Sequence, residues 1–97
     1  AAFTSYVIRR EGVTAGLLIT FPWDPVQPGK EGIYLLEVDP RFQGQGLGRA
    51  LLAAALADLA ERGRSACEVL TIPELSPAAL HLYQGFGFRE ACRWAIL

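Results

Sequence analysis

The segment Gln43-Gly44-Gln45-Gly46-Leu47-Gly48 sets glycines at alternate positions, and a loop of that kind is suited to holding a phosphate. Glycine lacks the Cβ that keeps a ligand away from the main chain, so backbone N–H groups can close around an anion. Where a helix follows, its first turn adds amides without internal partners and about half a positive charge from the macrodipole. Two other phosphate loops fit less well. A dinucleotide fingerprint needs G-x-G-x-x-G, and the acidic residue about 20 positions further on would be Asp58, Glu61 or Glu68, none well placed at a strand end. A P-loop needs Gly-Lys-Ser/Thr, and the only lysine of this chain is Lys30. A ligand-free glycine turn ahead of the helix remains as the bland alternative.

Other chemistry-bearing residues are sparse. His81 is the only histidine; it stands two positions from Tyr83, so on a helix the two point to nearly opposite sides, and it reads as structural or surface. Cys67 and Cys92 have apolar neighbours and read as free buried thiols of a reducing compartment rather than a disulfide. Neither belongs to a Cys/His cluster with metal-ligand spacing. Glu31, Glu37 and Glu68 lie in strand-like runs, where a solvated carboxylate competes with a general base as the reading. Trp23, Tyr34 and Trp94 read as packing residues.

These residues need elements to position them. TSYVIRR (4–10) and TAGLLITF (14–21) are β-branched or aromatic runs, joined through Arg10-Glu11-Gly12 as a hairpin. A proline-rich stretch, 22–29, is a stiff loop. GIYLLEV (32–38) is a nearly unbroken apolar run closed by Asp39-Pro40, and it predicts a strand buried on both faces. Over 47–62, Leu52, Leu56 and Leu59 recur at helical spacing, widened by Leu51 and Ala55, with Gly63 as the stop. CEVLTI (67–72) predicts a further strand. Ser76-Pro77 opens a second helix, with serine as N-cap, that stops near Gly85; a strand-like tail follows over 89–97. The order β-β-β-α-β-α-β makes one α+β domain over 1–97, with a mixed, mostly antiparallel sheet and two helices.

The bulk numbers fit that domain. A chain of 97 residues buries about 60–70% of its unfolded surface, enough for one modest core. A net charge of −1, with scattered arginines, argues against a nucleic-acid or membrane-surface partner. No apolar run approaches the roughly 20 residues of a membrane span. The start Ala1-Ala2-Phe3-Thr4 lacks a signal-peptide pattern, so a soluble cytoplasmic protein is the expectation.

Two motifs carry a family resemblance. Gln43, Gly46 and Gly48 meet Gln/Arg-x-x-Gly-x-Gly/Ala, and Leu82-Tyr83-Gln84-Gly85-Phe86-Gly87-Phe88 meets Leu-Tyr-x-x-x-Gly-Phe. In that order they resemble the GCN5-related N-acetyltransferase (GNAT) superfamily. The resemblance implies a sheet splayed into a V-shaped cleft between 32–38 and 67–72, and an acetyl group passed directly from acetyl-CoA to an amine, without metal. It implies that the backbone of Leu36, Glu37 and Val38 pairs with the pantetheine arm, with the Val38 N–H as oxyanion donor. Gln43, Gly44, Gln45, Gly46, Leu47 and Gly48, with Arg49, would hold the pyrophosphate. Tyr83 is implied as general acid, and Glu68, in a Cys-Glu-Val context, as general base, with Glu37 and Glu31 as rivals. The acceptor is a small-molecule or peptide amine. The strand and two helices that open the family's usual domain have no counterpart ahead of the hairpin. That suggests either a homodimer that covers the gap or a CoA-binding module within a larger protein.

Overall fold

In the computed structural model, residues 3–22, 29–69 and 77–89 are described. They form β1 (Thr4–Arg10), β2 (Val13–Pro22), β3 (Lys30–Val38), α1 (Leu47–Glu61), β4 (Ala66–Val69) and α2 (Pro77–Gly85), with a short 3-10 turn at Pro40–Phe42. The sheet runs β1-β2-β3-β4; its first three strands are antiparallel and β4 is parallel to β3. The expected α+β architecture with two helices is therefore present. Residues 23–28 of the proline-rich stretch, 70–72 of the strand expected over 67–72, Ser76, the strand expected beyond Arg89, and with them Trp23, Cys92 and Trp94, lie outside the described residues, whereas Pro22 belongs to β2.

The hairpin closes through Glu11 and Gly12, both at positive φ (50° and 78°), as the tight turn between right-twisted strands requires. On the other side of the sheet, α1 lays Leu47, Leu51, Leu52, Ala55 and Leu59 against β1–β3, where Leu18 and Ile33 are buried. Gly16 permits this approach: a Cβ there would stand 2.9 Å from the Leu51 side chain. The helix ends as the glycine predicts. Gly63 takes φ 76°, its N–H donates to Ala60 O, and the Arg64 N–H donates to Leu59 O.

Two bulges shape the sheet. The β1–β2 register slips at Ala15, and the β2–β3 register slips at Tyr34, which has no partner between the pairs Ile19↔Leu35 and Thr20↔Ile33. The second slip corrects the sequence reading of β3. Ile33 is buried, but Tyr34 is 65% exposed and Glu37 is exposed, because among the described residues both helices pack on one face only. The opposite, outer face carries Phe3, Phe21 and Tyr34 as an aromatic trio, with Tyr34 edge-on to the other two.

The start of β3 is pinned to the α1–β4 connection. The Gly29 carbonyl accepts from the N–H groups of Ser65 and Ala66, and Glu31, 2% exposed, stands 3.3 Å from Arg64 Nε. That contact is an ion pair without hydrogen-bond alignment.

Candidate functional site

Among the described residues β4 pairs with β3 over Lys30–Ile33, opposite Ala66–Val69. The last of these described pairs, Ile33↔Val69, adjoins the Tyr34 bulge. What β3 offers beyond that point follows from its pairing with β2. Asp39 donates its N–H to Ala15 O at 2.8 Å, which makes Asp39 a hydrogen-bonded position of the ladder. Alternation then turns the peptide groups of Val38 and Leu36 away from β2, toward the side on which β4 pairs with the start of the strand. Gln43 Nε2 donates to Val38 O at 3.2 Å, tying the glycine loop to the end of this edge.

The loop itself has the shape of an anion cradle. Gly44 and Gly46 sit at φ 79° and 77°, and a Cβ at either would meet nothing within 4 Å, so the space beside the backbone is open. Gly46 is the N-cap of α1 and supplies no side-chain cap, and the first turn holds no acidic residue. Its amides and dipole therefore face the loop uncompensated. Gly48 serves packing: its Cβ would lie 3.4 Å from Leu82 of α2 and 3.9 Å from Val38. Arg49, in the first turn of α1, holds its guanidinium 5.7 Å over the Phe86 ring, a contact that no spacing rule predicts. An uncapped helix start, open glycines and an unpaired peptide edge together fit a phosphate-bearing, extended cosubstrate.

Tyr83 is 5% exposed, and its ring packs 5.4 Å from Phe88. The signature spacing has a physical basis here. Gly87 at φ 90° ends α2, its N–H donating to Gln84 O while the Phe88 N–H donates to Tyr83 O. This helix stop folds Phe88 back onto Tyr83, the residue three positions inside the helix end. Burial, with Cys67 nearby, raises the tyrosine's pKa, so its hydroxyl is a proton-bearing donor at neutral pH. That hydroxyl makes no hydrogen bond among the described residues. His81 is exposed, on a different side of the helix from Tyr83.

The carboxylates separate clearly. Cys67 and Val69 pack against the core that contains Tyr83, so Glu68 between them points to the outer face. There it pairs with Lys30 Nζ at 3.0 Å. Glu68 and Tyr83 thus lie on opposite sides of the sheet rather than in one cluster. Glu31 is withdrawn as a base, since it is buried against Arg64. Asp39 accepts from the backbone N–H and the guanidinium of Arg41, and these bonds hold its pKa below the usual carboxylate range. Leu36 and Val38 pack toward α1, which leaves the Glu37 side chain on the outer face. It borders a hollow of about 600 Å³ formed by residues 14–17, 36–40 and Gln43. Cys67 is a free thiol, pushed up to about 11 by burial and by Glu31 and Glu68, which marks it as inert at neutral pH. Among the described residues no group of His, Cys, Asp and Glu could hold a metal ion, and no helix is long and apolar enough to cross a membrane.

Comparison with known proteins adds to this geometry. The model of the acetyltransferase (GNAT) family matches residues 1–88. A mycothiol acetyltransferase of Thermobispora bispora is 39% identical over 89 residues, covering 84% of this chain and 29% of that protein. The chain thus spans less than a third of that relative's length. The ribosomal-protein-S18-alanine N-acetyltransferase from Escherichia coli superimposes with a TM-score of 0.81 at 31% identity, over 93% of this chain and 55% of that one. An aminoglycoside N-acetyltransferase in complex with CoA superimposes with a TM-score of 0.81 at 21% identity, over 98% and 74%, a likeness of fold.

Proposed function

This chain belongs to the acetyltransferase (GNAT) family, and from that premise we propose that it binds acetyl-CoA in the opening beside β3 and passes the acetyl group to an amine. One observation carries the reading. Beyond the Tyr34 bulge the Leu36–Val38 edge turns its peptide groups away from β2, and it leads directly to the uncapped start of α1.

In this reading the amides of Gln43 to Gly48 hold the pyrophosphate, with Arg49 beside them. The peptide groups of Leu36 and Val38 pair with the pantetheine arm as a strand would. Acetyl-CoA supplies an activated acetyl group: the amine nitrogen bonds to the carbonyl carbon, the C–S bond breaks, and the sulfur leaves as thiolate. Val38 N–H donates to the thioester oxygen, where charge gathers. Tyr83 donates a hydrogen bond to the sulfur. The proton released by the amine goes to Glu68 or to water on the outer face. A lysine-type amine, about 3 units above neutral pH, costs roughly 4 kcal/mol to deprotonate and makes a base useful. The half-buried free thiol of Cys67 suits a cytoplasmic setting.

A second reading, a CoA-binding module without turnover of its own, is favoured by the Lys30–Glu68 pair, which occupies the candidate base on the side away from Tyr83. Two measurements decide. CoA at 100 times its Kd adds about 2.7 kcal/mol and raises Tm. Gly46→Asp sets bulk and negative charge against the pyrophosphate and abolishes that rise; Gly46→Asn, whose side chain tolerates the left-handed backbone, keeps the fold as a control. A rise undiminished in Gly46→Asp removes the loop assignment. Thiol release from acetyl-CoA with amine acceptors then separates the enzyme from the silent module.

A further inference from the structure

On the acetyl-transfer reading above, we propose that the hollow beside Glu37 is the acceptor's anchoring subsite, and that it selects acceptors bearing a second, cationic amine apart from the one acetylated. Glu37 is the central residue of the cleft edge. The flanking Leu36 and Val38 turn their side chains toward α1 and their peptide groups toward the opening, and Glu37 turns its carboxylate to the outer face. A molecule whose nitrogen reaches the Val38 amide from that face passes within reach of this carboxylate.

The charges around the hollow decide what it accepts. The residues forming it include two carboxylates, Glu37 and Asp39, and no lysine, arginine or histidine. Asp39 is already saturated by three bonds from Arg41. Arg9, the nearest cation on β1, is turned to the Gly12 carbonyl and the Thr14 hydroxyl. Glu37 forms no ion pair among the described residues, so its charge is available to a ligand. Its cross-strand neighbour is Leu17, and beyond that lies Val7, 48% exposed, which together give an apolar floor for a carbon chain. An ammonium on a short alkyl stem meets a carboxylate and a hydrocarbon surface, whereas a carboxylate on the same stem meets repulsion.

The test uses two probes that differ only in one terminal charge, 1,5-diaminopentane and 6-aminohexanoate, titrated by calorimetry with and without CoA, so that a failure of cosubstrate binding is seen separately. Glu37→Gln weakens the diamine about three- to fivefold, the scale of a partly exposed ion pair, and leaves 6-aminohexanoate unchanged or tighter. Glu37→Asp recovers part of the loss, and Glu61→Gln, an exposed carboxylate on α1, changes neither probe. In turnover, KM for the diamine rises by the same factor while kcat and KM for acetyl-CoA hold. Equal weakening of both probes, unchanged diamine affinity, or a fall in kcat with KM unmoved overturns the assignment; the last would make Glu37 a proton acceptor instead of an anchor.

Discussion

The Tyr83 hydroxyl is held on a buried ring clamped by Phe88, and its pKa stands above the ordinary 10.0. Full proton transfer to a thiolate of pKa near 8.5 is therefore uphill by more than about 2 kcal/mol, so on the reading proposed above the group acts by donating a hydrogen bond. Tyr83→Phe should lower kcat about 10- to 100-fold, the worth of a hydrogen bond to a charged atom, with the Kd for CoA within about twofold. Wild-type turnover in Tyr83→Phe would end that role. Its neighbour Cys67 gives a pH signature. The folded thiol keeps its proton up to about 11, whereas an unfolded one releases it near 9.0. Stability from this group is thus complete below pH 9 and is lost as pH rises toward 11, by about 2–3 kcal/mol at most. Urea unfolding should show Cys67→Ala losing less stability than wild type from pH 9 to 10, a comparison in which the raised Tyr6 contributes alike to both proteins. Matching slopes would contradict the burial of the thiol. The left-handed glycines of the loop and the glycine stop behind Tyr83 were legible in the sequence. The face taken by Glu68 was not, since the four described residues of β4 give no alternation long enough to decide it.

Among the elements, α1 was the most legible, because its apolar stripe and its glycine stop are both local signals. The hairpin likewise needed only its turn residues. β3 was misread as buried on both faces. An apolar run such as IYLL hides a bulge, since any of its side chains is acceptable on either face, and only the β2 partner reveals that Tyr34 is the extra residue. On the reading proposed above, this bulge also opens the cleft. Deleting Tyr34 should restore a continuous β2–β3 register and extend the pairing of β3 with β4. The variant should keep its far-UV circular dichroism and lose CoA binding at least tenfold. Undiminished binding in a folded deletion variant would separate the bulge from the cleft.

At the scale of the molecule, β1 has β2 as its only strand neighbour among the described residues, and the outer face leaves Phe3 59% and Tyr34 65% exposed. Unpaired edges and exposed apolar faces favour association. For the homodimer suggested by the sequence, sedimentation equilibrium at micromolar concentration should report twice the 10.6 kDa chain mass; a single species at 10.6 kDa with full activity would rule it out. The cleft edge has one further consequence. On the cosubstrate side, the groups turned to the opening are the peptide units of Leu36 and Val38 and the amides of the glycine loop, which every non-proline residue possesses. Point changes reach them only by altering backbone shape, at a few glycines or by inserting or removing a residue. The outer face is built from side chains, of which Glu37, Leu17 and Tyr34 are examples, and each can be exchanged singly. On the acetyl-transfer reading proposed above, the two halves of the site therefore differ in heritability: one is carried by the trace of the chain, the other by its spelling, and new acceptor preferences can arise by drift on one side while the donor chemistry on the other is inherited intact.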